Sequence, residues 1–315
     1  MSRDTGDHTG DQGSLIEQAA KRLRQQQPPP NAPTAEQRAA IPGPSGFPAD
    51  SQVAPPHRAD DDRGNYVTLD LADLKAQGCV TPDSDRSRSA EEYRIIKRPL
   101  LENAFGRTAS LVEQGNLIMV TSSIPGEGKT YTAVNLAMSI AMEMDKTVLL
   151  IDADVGRPRL HKMLGIQMGP GLVDLMVDSA LDVRDVILRT NVPKLRIIPM
   201  GKYHPHANEL LASGDMQRLM HELASRYEDR VIIFDSPPLL VTSEAVVLSN
   251  LVGQIVFVVE AGRSLQHSVK DALGLLDASK PIGLILNKTR QLGGDYYGYG
   301  SYGGYGGYGP EGARK

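Results

Sequence analysis

Between Leu117 and Met144 the chain reads as an apolar run (Leu117–Val120), the stretch Ser-Ser-Ile-Pro-Gly-Glu-Gly-Lys-Thr, and a helical pattern from Tyr131 onward. Few folds accommodate a buried strand that turns through glycines straight into a helix. A turn built on Gly126 and Gly128 can aim successive backbone N–H groups inward, and the helix start adds roughly half a positive charge at the same point. Lys129 can then reach β- and γ-phosphates, and the Thr130 hydroxyl can ligate Mg²⁺, which is what holding a nucleoside triphosphate requires. The usual pattern G-x-x-x-x-G-K-[ST] begins with Gly where this chain has Ser123, so the loop is a variant one.

The region around this loop constrains the fold further. Residues 117–288 alternate apolar runs with helical patterns, the runs being Leu117–Val120, Thr147–Asp152, Leu195–Pro199, Val231–Asp235, Gln254–Glu260 and Gly283–Asn287. Near-continuous, β-rich apolar character predicts strands covered on both faces, and the intervening helices predict parallel crossovers. The expectation is a doubly wound, mainly parallel α/β domain that binds ligands at the carboxyl ends of its strands.

Composition marks the flanks. Residues 1–65 hold nine of the 21 prolines and one aromatic, Phe47, which predicts disorder. Within them Ser14-Leu-Ile-Glu17 has capping-box spacing and opens a short amphipathic helix over 14–24. Residues 66–116 read as a helical bridge, with helices expected over Leu69–Ala76 and Ala90–Asn103. From Tyr296 to Gly309 the chain runs YYGYGSYGGYGGYG, six tyrosines and seven glycines without a period that would bury the rings. Residues 289–315 are therefore read as an exposed tail.

The net charge of −4 gives no reason to expect nucleic acid as a partner. One cysteine, Cys79, excludes an internal disulfide framework and fits a reducing compartment. The amino terminus is polar and acidic, and the apolar runs are strand-sized, so neither a signal peptide nor a transmembrane helix is expected. The expectation is a cytoplasmic chain that meets a membrane only through a partner.

Three aspartates stand where strands should end: Asp152 and Asp154 after Val148–Ile151, and Asp235 after Val231–Phe234. With Thr130 at the same sheet edge they make a credible Mg·ATP site, because Mg²⁺ takes one or two carboxylates together with water and phosphate oxygens. His204 and His206 form an H-x-H pair with no third ligand at a convincing spacing, and His161 and His267 read as helix-surface or structural residues.

These residues together resemble a known family, the bacterial tyrosine kinases of exopolysaccharide and capsule biosynthesis, over roughly Arg86 to Lys315. SSIPGEGKT is similar to that family's variant P-loop, VLLIDADVGRP to its second acidic motif and VIIFDSPPLL to its Walker B segment. HANELLAS (His206–Ser213), LILNK (Leu284–Lys288) and the tyrosine cluster also resemble it. More narrowly, SLIEQAAKRL, EEYRIIKRPLL and DYYGYG resemble the exosortase-associated tyrosine autokinases, encoded as soluble chains apart from their membrane partner.

The resemblance implies a P-loop NTPase fold of partition-ATPase-like architecture, with ATP and Mg²⁺ as cofactors. It implies that Pro125, Gly126, Glu127, Gly128, Lys129, Thr130, Tyr131 and Asn287 contact the nucleotide. Thr130, Asp154 and Asp235 would hold the metal; Lys129, Asp152 and Asp154 would be catalytic, with Asp152 orienting or deprotonating the attacking phenol. Tyr296, Tyr297, Tyr299, Tyr302, Tyr305 and Tyr308 would be the phospho-acceptors, supplied in trans within a homo-oligomer such as a ring. The implied partners are a membrane-spanning chain-length-determinant or co-polymerase protein at the inner membrane and a tyrosine phosphatase, with polysaccharide polymerisation or export as the regulated process.

Two motifs depart from the family pattern. The family's second acidic motif commonly has Arg two residues after its second Asp, where this chain has Gly156 followed by Arg157. The oligomer-forming E-x-x-R-x-x-R appears as Glu91, Arg94 and Lys97, and lysine lacks the bidentate fork of arginine. Two other functions remain open on sequence alone: a partition or positioning ATPase, whose signature Lys would stand at Ile124, and an ATP-binding regulatory scaffold. ATP turnover without phosphotyrosine would mark the first, and nucleotide binding without turnover the second.

Overall fold

A computed structural model of the chain describes residues 65–83 and 87–289. The expected helix over 14–24 and the tyrosine cluster lie outside the described residues.

Along the chain the elements are β1 (Asn65–Val67), α1 (Leu71–Ala76), α2 (Arg88–Phe105), β2 (Leu117–Ser122), α3 (Lys129–Ala141), β3 (Thr147–Asp152), α4 (Leu160–Met163), α5 (Leu172–Val177), α6 (Val183–Val186), β4 (Leu188–Thr190), β5 (Leu195–Ile198), α7 (Ala207–Leu211), α8 (Gly214–Arg226), β6 (Arg230–Asp235), α9 (Ser243–Leu251), β7 (Gln254–Glu260), α10 (Gln266–Leu273) and β8 (Ile282–Asn287). The strands form one sheet in the order β1-β4-β5-β3-β6-β2-β7-β8, parallel throughout except between β4 and β5.

The six long apolar runs are strands, as the sequence predicts; β2, β3, β5, β6 and β7 are largely covered on both faces, whereas the edge strand β8 is not, its Leu284 and Leu286 being 62% exposed. Successive residues of β2 alternate between two cores. Ile118 and Val120 face the side of α2 and α3, with Val148, Leu150 and Ile233. Leu117 and Met119 face the other side, with Leu149, Ile151, Ile232 and Phe234. Burying each such side chain contributes about 1.5–3 kcal/mol, which fixes register, since a slip of one residue would exchange the faces.

β1 and β4, three residues each, carry too few positions for a period and went unpredicted. β1 pairs with a strand more than a hundred residues away. β4 turns back to β5 as a hairpin held by the Thr190 hydroxyl, which donates to the carbonyls of Val192 and Leu195 at 3.0 and 3.1 Å.

The helices of residues 66–116 pack onto this sheet. Asp70 caps α1 by accepting from the N–H groups of Ala72 and Asp73, and Ser87 caps α2 by accepting from Ala90. Leu74, Ala90, Tyr93 and Leu100 share the core of α3. Lys97 lies on that inward stripe, 5% exposed, and its ammonium donates to the Ser139 carbonyl at 2.6 Å and pairs with Glu143 at 2.7 Å. Glu91 and Arg94 pair on the outer side at 3.1 Å, while Lys97 points into the molecule.

Candidate active site

The carboxyl ends of β2, β3 and β6 come together where the chain, having wound outward through β3 and β5, returns through β6 to the other side of β2. The loop from Ser123 to Gly128 spans the tip of β2 and the start of α3. Gly126 and Gly128 have φ of +92° and +103°, a region where a side chain is strained. A Cβ on Gly128 would also collide with the Asn287 amide. That amide donates to the Glu127 carbonyl at 2.8 Å, and the Lys288 ammonium donates to the Gly126 carbonyl at 2.7 Å. With these carbonyls drawn outward, the loop's N–H groups are left for an anionic ligand at the amino end of α3.

Ser123, the departure from the usual loop, has a local reason. Its hydroxyl lies 2.9 and 3.0 Å from the two carboxylate oxygens of Glu127, and the Ile124 N–H donates to that carboxylate at 2.8 Å. A glycine could not make the first contact. Glu127 is fully buried, so its side chain shapes the loop from beneath while its backbone stays on the ligand side.

Asp152 and Asp235 are direct partners in the β3–β6 register, and both are buried. Burial pushes the Asp235 carboxyl up to about 7; the nearby Thr130 hydroxyl and Lys129 ammonium oppose the rise, and Asp154 adds to it. Asp152 lies well above the usual carboxylate range, first through burial and then through the charge of Asp235. Burial also raises Asp154, against the pull of Lys129. Asp154 donates its N–H to Asp152 at 3.2 Å and accepts from the Arg157 N–H at 3.0 Å.

Neither oxygen of Asp235, nor Oδ2 of Asp152, takes part in a well-formed hydrogen bond. Buried, unsatisfied carboxylate oxygens beside a lysine and a hydroxyl fit a hard divalent cation. Among the described residues no three acidic, histidine or cysteine side chains form a complete cage. A cation would therefore be held by one or two carboxylates, Thr130 and a ligand's phosphates, which is the habit of Mg²⁺.

The remaining sequence candidates fall variously. Pro125 sits in the loop, partly buried. The Tyr131 phenol turns from the loop and donates to the Gly78 carbonyl at 2.6 Å. Sequence reading missed Ser264, Glu260 and Lys288. Ser264 follows β7, and its hydroxyl donates to the Glu127 carboxylate. Glu260 pairs with Arg263 at 3.0 Å and with Lys288 at 3.2 Å. Lys288 closes the LILNK stretch, whereas Glu260 and Ser264 had only their place at the carboxyl end of β7 to signal them.

Comparison with known proteins gives concordant matches. A family model described as an AAA domain matches residues 115–266. The tyrosine-protein kinase YwqD of Bacillus subtilis (strain 168) is 32% identical over 217 residues, covering 68% of this chain and 87% of that protein. The tyrosine-protein kinase ptk of Acinetobacter johnsonii is 30% identical over 185 residues, 58% of this chain; the match spans 25% of that longer protein. The kinase domain of the Escherichia coli tyrosine kinase ETK superposes with a TM-score of 0.60 at 26% identity, over 75% of this chain and 93% of that one.

Proposed function

Because this chain belongs to the bacterial tyrosine-protein kinases, we propose that it phosphorylates the tyrosines of its own carboxyl-terminal segment, Tyr296 to Tyr308, from Mg·ATP held at the carboxyl edge of the sheet. The observation that carries this reading is the pair of buried, unsatisfied carboxylates beside Lys129 and Thr130 at the start of α3.

Lys129 and the loop amides bind the phosphates. Thr130, Asp235 and Asp154 would hold the cation, which when bound would supply positive charge beside the transferring phosphoryl group. Asp152 takes the phenol proton: free tyrosine has a pKa near 10, and a carboxylate whose pKa is raised by burial and by the charge of Asp235 is better matched to it than an ordinary aspartate. Phosphoryl transfer otherwise depends on alignment, which the clamped loop supplies.

The acceptors come from a neighbouring copy within a homo-oligomer. Recruitment to the inner membrane runs through a membrane-spanning co-polymerase partner, and a tyrosine phosphatase resets the cycle that governs polysaccharide polymerisation or export. Among the described residues no helix is long and apolar enough to cross a membrane.

Intact-mass spectrometry after incubation with Mg·ATP tests the central claim, beside Lys129→Met and a chain truncated after Asp295. The expected result is a ladder of phosphate additions in the full chain only, mapping to Tyr296–Tyr308. Phosphate on the truncated chain, or a ladder that persists in Lys129→Met, would overturn it.

A further inference from the structure

We infer that Glu127 is a positioning residue that presets the phosphate loop by tying it to the turn after β7, and that Ser264 is its partner in this role. The inference rests on the loop being the phosphate cradle.

Glu127 is fully buried, yet its carboxylate is well supplied with donors. Ser123 and Ile124 donate to it from within the loop, and the Ser264 hydroxyl donates from the far side. A buried carboxylate is tolerated only when hydrogen bonds replace its lost water, and here every such bond fastens the loop. Ser264 is fixed in turn, because its hydroxyl accepts from the Glu260 N–H at 2.9 Å.

The circuit then closes. The Glu260 carboxylate pairs with Lys288, and Lys288 donates to the Gly126 carbonyl, one residue from Glu127. The loop is thus gripped from below through a carboxylate and from above through its carbonyls. Its two left-handed glycines are held before any phosphate arrives. Without the grip from below, Gly126 and Gly128 could reach many other conformations, and phosphate binding would have to order them.

The prediction is therefore a loss in nucleotide affinity rather than in folding. In the full-length chain, Glu127→Ala should weaken Mg·ADP binding at least tenfold by calorimetry and raise the KM for ATP in parallel. Glu127→Gln, which keeps one acceptor oxygen for the Ile124 N–H, should recover to within about threefold of wild type. Ser264→Ala should weaken binding about threefold. The double variant should be no worse than Glu127→Ala alone, because both substitutions break one contact. Melting temperatures without nucleotide should stay within a few degrees of wild type.

Unchanged Mg·ADP affinity in folded Glu127→Ala and Ser264→Ala would overturn the inference, as would additive losses in the double variant. Should Glu127→Ala fail to fold, Ser264→Ala decides: a loss in affinity at unchanged melting temperature supports the role, and affinity at wild-type level refutes it. Failure of the underlying reading has its own signature. Wild-type protein would bind adenosine as tightly as ADP, leaving no phosphate cradle for Glu127 to preset.

Discussion

Asp152 and Asp235 face each other across β3 and β6 with almost no access to water, and the Asp235 carboxyl is pushed up to about 7. Two adjacent buried carboxylates destabilise the fold unless a cation or ligand is present, so this pair is a place where function and stability oppose each other. Asp235→Asn removes one charge and supplies an amide that can donate to Asp152. The expected outcome is a nucleotide-free protein more stable by about 1–2 kcal/mol, a rise of roughly 2–4 °C per kcal/mol for a domain of this size. The same variant should lose phosphate incorporation and most of the stabilisation that Mg·ADP gives wild type. Thermal melts with and without Mg·ADP check both halves. A nucleotide-free variant less stable than wild type would refute the opposition argued here.

At the scale of elements, the helix carrying Lys129 and Thr130 is stitched to residues 78–97 along one polar stripe. The Tyr131 hydroxyl reaches Gly78, Asn135 accepts from the Val80 N–H, and Lys97 takes the Ser139 carbonyl and the Glu143 carboxylate just past α3. Lys97→Ala should lower stability by about 2 kcal/mol in urea titrations, the range for hydrogen bonds to a charged group. The loss stays moderate because Glu143, 36% exposed, can turn to water. A stability unchanged from wild type, together with smaller oligomers, would instead favour the oligomer-interface role that the family resemblance implies for Lys97.

Lys97 also shows how far the sequence could be read. The buried runs of β2, β3, β6 and β7 were legible because both faces demand apolar residues, and the aspartates were legible because they end such runs. Glu91 and Lys97 do not share a face, because they stand about 120° apart around a helix. Ala90, Tyr93, Lys97 and Leu100 recur at three-four-three spacing, the period of an inward face. The Glu127–Ser264 contact, 137 residues apart in the chain, had no local pattern to announce it.

At the scale of the whole molecule, the described chain ends beside its own phosphate loop, since Asn287 and Lys288 both bond to loop carbonyls. From Thr289, Tyr296 is seven residues on and Tyr308 nineteen, reaches of at most about 25 and 68 Å. Length therefore permits transfer within one chain as well as between chains, and only mixing separates them. A Lys129→Met chain with its tail intact, incubated with an active chain truncated after Asp295, should gain phosphate at a rate that falls on dilution. If wild type alone is phosphorylated and the mixture is not, transfer runs within the chain. Charge then says what completion of the reaction does. Each phosphate adds about 1.5–2 negative charges, so six sites add roughly nine to twelve. The whole unmodified chain carries a net charge of only −4. A tail so modified is repelled both by neighbouring tails and by the acidic edge formed by Asp152, Asp154 and Asp235. Fully phosphorylated protein should accordingly sediment as a smaller species than a chain with all six tyrosines changed to phenylalanine. Added salt should narrow the difference, because screening weakens repulsion between exposed charges. Equal sizes for the two forms at low salt would show that charge on the tail does not govern assembly.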